Sequence, residues 1–204
     1  MASEPLICIV DDDDSVRDSL RELLESSDYA VEDYSSALRF LASDAVSRCQ
    51  CLIVDVRMPE MDGLALQHEL TKRGHRLPVV VVTGHGDIPL AVRAMKAGAA
   101  EFLEKPFKDE VLLASVRAAL EIGASPAKIG PAAAIVEERM KALTEREREV
   151  LDLLVLGHAN KDVAQKLSIS FRTVEIHRSR VLAKMEARSI AELVRLVLAV
   201  RPEG

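Results

Sequence analysis

The chain of 204 residues contains no tryptophan, and its aromatics are two tyrosines and four phenylalanines. Whatever core it builds is therefore aliphatic. Long apolar runs are missing too. Its apolar runs, such as "VVVV" at 79–82, fall far short of the roughly 20 residues that span a bilayer, so no membrane partner is expected. No basic and apolar leader is present, and the expected compartment is the cytoplasm. Cysteine is scarce: Cys8, Cys49 and Cys51 form neither a zinc spacing nor a C-x-x-C pair. They read as small hydrophobes in a reducing compartment.

Charge is present but uneven. Residues 1–122 carry 13 Lys+Arg against 22 Asp+Glu, whereas residues 123–204 carry 14 against 11. An acidic first part joined to a mildly basic second part fits a charge-handling domain tethered to one that meets a polyanion.

Through residue 122, short apolar runs alternate with helix-like segments. "LICIV" (6–10) precedes a helix over 15–26 that lines up Val16, Leu20, Leu23 and Leu24. A strand near 29–33 and a helix over 36–43 lead to "CLIVD" (51–55). Helices over 64–73, 87–96 and 107–121 then frame "PVVVVT" (78–83) and "AEFLEK" (100–105). Five strands alternating with helices predict a parallel sheet covered on both faces. "GASPAKIGP" (123–131), with two glycines and two prolines, is the domain boundary, and 132–142 can form a short helix.

The remainder reads as four helices. Thr144 and Glu147 have the spacing of a capping box, Gly157 is a stop, and Asn160, Ser170 and Ser189 stand where caps are needed.

In open parallel sheets, ligands bind beyond the carboxyl ends of the strands, and the polar residues fall there: Asp11 and Asp12, Asp55, Thr83 and Lys105. Four consecutive aspartates, Asp11 to Asp14, need an outlet, because unit charges about 4 Å apart repel by roughly 4 kcal/mol at a surface-like dielectric. Asp13 or Asp14 can cap the following helix. If strands 1 and 3 are neighbours, Asp11, Asp12 and Asp55 converge, and a hard divalent ion relieves them. One carboxylate could then attack phosphorus, with Asp55 best placed, while Lys105 and Thr83 suit the other phosphoryl oxygens.

"VDDDDSVRDSL", "LIVDVRMPEMDG", "VVTGHGDIPLAVRAMKAGAAEFLEKPF" and "LTEREREVLDLL…NKDVAQKLSISFRTVEIHRSRVLAKM" together resemble two-component response regulators of the FixJ type. The resemblance implies a flavodoxin-like α/β receiver over 1–122, with a five-stranded parallel sheet of order 2-1-3-4-5. A linker (123–142) and an all-α LuxR-type helix-turn-helix domain (143–204) follow. It further implies that Asp55 is the phospho-acceptor and that Asp12, Asp55 and the Arg57 carbonyl bind Mg2+ or Mn2+, with Asp11 assisting through water. Lys105 would pair with the phosphoryl group beside a cis Lys105–Pro106 bond. Thr83 and Phe102 match the switch pair, and Val92 and Lys96 match the dimer face. The implied partners are a sensor histidine kinase, promoter DNA, RNA polymerase and, on phosphorylation, a second copy. Arg57 and Glu60 would influence the lifetime of the phosphoryl group.

In a helix-turn-helix the second helix enters the major groove. Helical spacing puts Val174, Val181 and Met185 inward and leaves Arg172, Glu175, Ile176, Arg178, Ser179 and Lys184 outward or flanking. Glu175 could accept from a cytosine amino group and Ile176 could meet a thymine methyl. Lys161, Arg172, Thr173, Arg178 and Lys184 suit phosphates. His177 falls at the core edge, and the apolar "IAELVRLVLAV" reads as a further dimer contact.

Two alternatives stand beside this reading. "DDDSV" (12–16) fits the D-x-D-x-V pattern of haloacid-dehalogenase-like phosphatases, which leaves Asp55 and the helical tail without a role. A regulator that works without phosphorylation would have no need of the complete acidic, Thr and Lys set.

Overall fold

The computed structural model describes residues 4–84, 86–124 and 133–201. They divide into two compact units: one holds a parallel sheet with most of its helices, and the other is helical throughout.

The sheet has five parallel strands: β1 (Leu6–Val10), β2 (Ala30–Tyr34), β3 (Cys51–Asp55), β4 (Val79–Thr83) and β5 (Glu101–Glu104). Their order is β2-β1-β3-β4-β5. β3 and β4 are buried at every residue, which is why they read as unbroken apolar runs rather than alternating ones. Registers Val10↔Val54, Asp55↔Val82 and Thr83↔Glu104 bring the carboxyl ends of β1, β3, β4 and β5 level. Any polar residue one step beyond a buried strand therefore meets its counterparts on the neighbouring strands.

On this unit lie α1 (Asp14–Glu25), α2 (Ala37–Leu41), α3 (Ala45–Arg48), α4 (Gly63–Lys72) and α6 (Asp109–Ala124). Asp13 caps α1 by accepting from the Ser15 and Val16 amides, and α1 turns Leu20 and Leu24 into the core. There they join Ile7, Ile9, Ile53 and Leu112. Phe40, a fully buried aromatic, packs edge-on against Tyr34 with ring centres 5.4 Å apart.

Three local features differ from the sequence expectation. α3 is additional, four residues being too short to show an apolar period. α6 runs through Gly123 to Ala124, past the expected start of the linker; the rest of that boundary, 125–132, lies outside the described residues. Asn160 is not a cap: Ala159 holds the cap position, and Asn160 turns inward as the first helical residue, its Oδ1 buried without a partner.

The second unit contains α5 (Ile88–Lys96), α7 (Ala133–Lys141), α8 (Glu145–Val155), α9 (Asn160–Leu167), α10 (Phe171–Met185) and α11 (Ile190–Val200). Thr144 and Glu147 form the full capping box of α8, and Ser170 and Ser189 cap α10 and α11. Gly157, at φ 87°, follows the end of α8 in the left-handed conformation that ends helices. Val150, Leu154, Val163 and Val174 form the core joining α8, α9 and α10. Val181 and Met185 are fully buried, as the helical spacing required. α9 meets α10 through a short turn in which Ser168 takes a left-handed φ of 54°. Among the described residues no helix is long and apolar enough to cross a membrane.

Candidate functional site: an acidic pocket at the strand ends

Asp11 follows β1, Asp55 ends β3 and Thr83 ends β4, all three buried, and Lys105 follows β5. The Lys105 ammonium joins the two carboxylates, donating to Asp11 Oδ2 at 2.7 Å and to Asp55 Oδ1 at 3.1 Å. Its own amide donates to the Thr83 carbonyl at 2.8 Å, which ties the β5 end to the β4 end. The Lys105–Pro106 bond is cis. The second oxygen of Asp55 accepts from the Arg57 amide at 2.5 Å.

Burial pushes the Asp55 carboxyl above its ordinary pKa and the nearby Asp11 adds to the shift, while Lys105 and the Arg57 amide only partly offset it. Burial alone would lower Lys105, but Asp11 and Asp55 outweigh it and hold the ammonium protonated above its usual range. The pocket thus keeps a carboxylate that is uncomfortable as an anion next to a fixed positive charge.

The four consecutive aspartates have separate outlets. Asp11 turns inward to Lys105, Asp13 caps α1, Asp14 pairs with Arg17, and Asp12 is exposed. Among the described residues no group of three or more His, Cys, Asp or Glu is placed to hold a metal ion; Asp11 and Asp55 converge, and Asp12 is the residue beside them. The donors are all oxygen, which fits a hard cation such as Mg2+ and not a thiophilic one.

Phe102 is buried on β5 beside Val81. On α5, Val92 is buried and Lys96 exposed; Arg57 and Glu60 are exposed in the loop after β3, Glu60 with a left-handed φ of 64°.

Two features of this pocket escaped the sequence reading. Gly63 opens α4 directly under Asp55: a β-carbon there would fall well inside contact distance of the Asp55 carbonyl oxygen. Its signal is the Asp62–Gly63 pair, in which Asp62 caps α4 at the Ala65 amide. The other is Arg17, whose guanidinium donates to the Asp11 carbonyl at 2.7 Å and to Asp33 on β2 at 3.0 Å.

In the helical unit, α10 presents Arg172, Glu175, Ile176 and Ser179 to solvent, and Lys161 is exposed on α9. Ile176 and Phe171, large apolar residues 45% and 50% exposed, stand on the same helix; Phe171 was not singled out from the sequence. The Thr173 hydroxyl shares a hydrogen bond with Ser170 Oγ at 2.7 Å. His177 and Arg178 are half-buried, and Nδ1 of the one and Nε of the other have no partner. Lys184 is engaged at home, donating to Glu147 at 2.7 Å and to the Ala142 carbonyl at 3.1 Å.

Comparison with known proteins agrees with both halves of this picture. Residues 7–117 match the response regulator receiver domain, and residues 141–197 match the luxR family of bacterial regulatory proteins. The transcriptional regulatory protein FixJ of Azorhizobium caulinodans is 50% identical over 190 residues, covering 93% of this chain and 90% of that protein. The response regulator protein TodT of Pseudomonas putida is 44% identical over 191 residues, covering 94% of this chain and 84% of that protein. Among solved structures, the full-length FixJ from B. japonicum is 40% identical with a TM-score of 0.56, and each chain covers 100% of the other. The response regulator StyR is 42% identical with a TM-score of 0.57, covering 97% of this chain and 100% of that one. With one unit that carries an acidic pocket at its strand ends, a second that carries a helix-turn-helix, and relatives alike over nearly the whole length, the chain belongs to the FixJ-type response regulators, transcription regulators that join a receiver domain to a LuxR-type DNA-binding domain.

Proposed function

We propose that Asp55 accepts a phosphoryl group from a sensor histidine kinase and that this modification switches DNA binding by the helical unit. The observation that carries the reading is the Lys105 ammonium shared by Asp11 and Asp55. It is a fixed cation beside a strained carboxylate, where negative charge must accumulate as phosphorus is attacked.

Asp11, Asp12, Asp55 and the Arg57 carbonyl would hold Mg2+ or Mn2+, which when bound supplies charge neutralisation for the phosphoryl oxygens. The step itself forms an Asp55 Oδ–P bond and breaks the P–N bond of the kinase phosphohistidine, and the imidazole leaves. Lys105 exchanges part of its contact with the carboxylates for a phosphoryl oxygen. Thr83, at the neighbouring strand end, offers its hydroxyl to another, and Phe102 on β5 repacks in response. Two discrete packings of this kind give the surface two states.

In this reading the domains are 1–122 and 143–204, joined by 123–142, and the protein acts in the cytoplasm. Phosphorylation pairs two copies through a face that includes Val92 and Lys96; Val92, 2% exposed, must first be uncovered. Pairing raises the effective concentration of the second helical unit at a two-half-site promoter, where RNA polymerase is the further partner. Lys161, Arg172, Thr173 and Arg178 contact phosphates, while Glu175, Ile176 and Ser179 face base edges. Lys184 contributes to DNA only by leaving Glu147.

The test is the intact mass of wild type and Asp55→Ala after incubation with acetyl phosphate and Mg2+, with a chelator control. One added phosphoryl group on wild type alone, dependent on metal, is the expected result. A metal-dependent adduct that survives Asp55→Ala moves the nucleophile into the acidic run, as in the phosphatase alternative.

A further inference from the structure

The acidic turn after β1 is held from outside the pocket. The Asp11 amide donates to the Tyr34 carbonyl at 3.2 Å, which extends the β1–β2 ladder by one residue. The Asp11 carbonyl accepts from Arg17 Nη1 at 2.7 Å, and Arg17 Nε donates to Asp33 Oδ1 at 3.0 Å. Arg21 in turn holds the other oxygen of Asp33, its Nε donating at 3.1 Å. Both polar groups of the Asp11 backbone are therefore tied to β2, one directly and one through a guanidinium whose side chain is only 11% exposed. Arg17 also pairs with Asp14. With Asp14 and Asp33 both against it, little of its charge is left to act on the pocket.

Resting on the cation reading above, we propose that Arg17 is a positioning residue for the cation site: by fixing the Asp11–Asp12 peptide it holds the turn from which both carboxylates project. Arg17 donates to Asp33, to Asp14 and, in the acidic turn, to the backbone carbonyl between Asp11 and Asp12. The Asp11 carboxylate is also held by Lys105 at 2.7 Å and by the Asp13 amide at 2.9 Å, so a freed Asp11–Asp12 peptide would chiefly let the exposed Asp12 carboxylate swing away from Asp11. Partners that orient metal ligands without touching the metal typically change affinity 10- to 100-fold when removed.

Charge and geometry predict opposite signs, which makes the proposal decidable. If Arg17 acted through its field, removing a cation near the pocket would tighten binding of a divalent ion. If it acts by holding the turn, removal weakens binding. Lysine separates the two again, since it keeps the charge but cannot span Asp33 and the Asp11 carbonyl with a planar fork.

The experiment is Mn2+ titration of the full chain, following free Mn2+ by electron paramagnetic resonance, for wild type, Arg17→Gln and Arg17→Lys, without a phosphoryl donor. Melting in metal-free buffer identifies any variant that is not folded. Both variants are expected to bind Mn2+ about tenfold more weakly than wild type. Unchanged binding by Arg17→Lys, or tighter binding by Arg17→Gln, overturns the proposal, and so does a wild type that binds no Mn2+. If Arg17→Gln does not fold, Arg17→Lys decides alone. A wild type that binds Mn2+ but takes no phosphoryl group from acetyl phosphate counts against the proposed function and not against the positioning role.

Discussion

Gly63 is packed against the backbone of Asp55 so closely that the fold leaves no space for a β-carbon between the first turn of α4 and the end of β3. The Gly63 amide donates to the Val56 carbonyl at 3.0 Å, so α4 is anchored to the strand end that carries the acidic group. The obstacle is backbone and cannot rotate away. Gly63→Ala should therefore cost about 1–3 kcal/mol, the usual range for overpacking. It should also displace Asp55 relative to Lys105. Urea unfolding and the rate of labelling by acetyl phosphate are expected to fall together, whereas Gly98→Ala, at an open site with φ 89°, should affect stability alone.

The fold carries a cost at Asp55. Because burial and Asp11 raise its pKa, the ionised form is disfavoured by the fold. That penalty is absent below the ordinary carboxylate range and grows as pH rises through the raised pKa. Asp55→Asn removes it while leaving Lys105 paired with Asp11. The variant should be about 0.5–2 kcal/mol more stable than wild type in metal-free buffer at neutral pH. The gap should close on acidification. Equal melting curves at neutral pH would show that Lys105 already neutralises the site in full.

Glu147 has the opposite sign. The Lys184 ammonium and the Thr144 amide stabilise its carboxylate and bring its pKa down to about 2. Such a group contributes stability that is complete above pH 4.5 and is lost as the pH falls toward 2. The contribution is at most about 3 kcal/mol at 1.36 kcal/mol per pKa unit, and less in practice because the Lys184 side chain is 36% exposed. Glu147→Gln should lower the melting temperature of the helical unit at pH 7 and flatten its acid dependence between pH 4.5 and 2. Circular dichroism melts across that range provide the comparison.

What the sequence disclosed and what it hid follow from the range of the interactions. Strand ends were legible because β3 and β4 are buried on both faces and their terminal polar residues, Asp55 and Thr83, interrupt unbroken apolar runs. The capping box of α8 was legible because its partners are three residues apart. The Arg17–Asp33 pair and the Lys184–Glu147 pair join residues 16 and 37 positions apart, and no local pattern announces them. Asn160 misled for a related reason: its residue type suits a cap, but packing drew the side chain inward and gave the cap position to Ala159. Lys184, which the sequence offered to DNA, was likewise claimed by a partner that only the tertiary fold supplies.

In the proposed reading, the outer face of α10 should separate affinity from specificity. Arg172 is exposed in the first turn of the helix, and Ile176 is exposed one turn further on. An arginine on a phosphate releases about one counterion, so Arg172→Ala should weaken binding on every sequence and lower the slope of log affinity against log salt by about 0.9. Ile176 carries no charge and should leave that slope unchanged. If it meets a thymine methyl, Ile176→Ala leaves the salt dependence unchanged and reduces discrimination at one base pair by about 1–3 kcal/mol. Fluorescence anisotropy on a promoter fragment and on a scrambled duplex, each over a salt series, reads both quantities. A slope change with Ile176→Ala, or loss of sequence preference with Arg172→Ala, would reverse the two assignments and place the entering end of α10 differently in the groove.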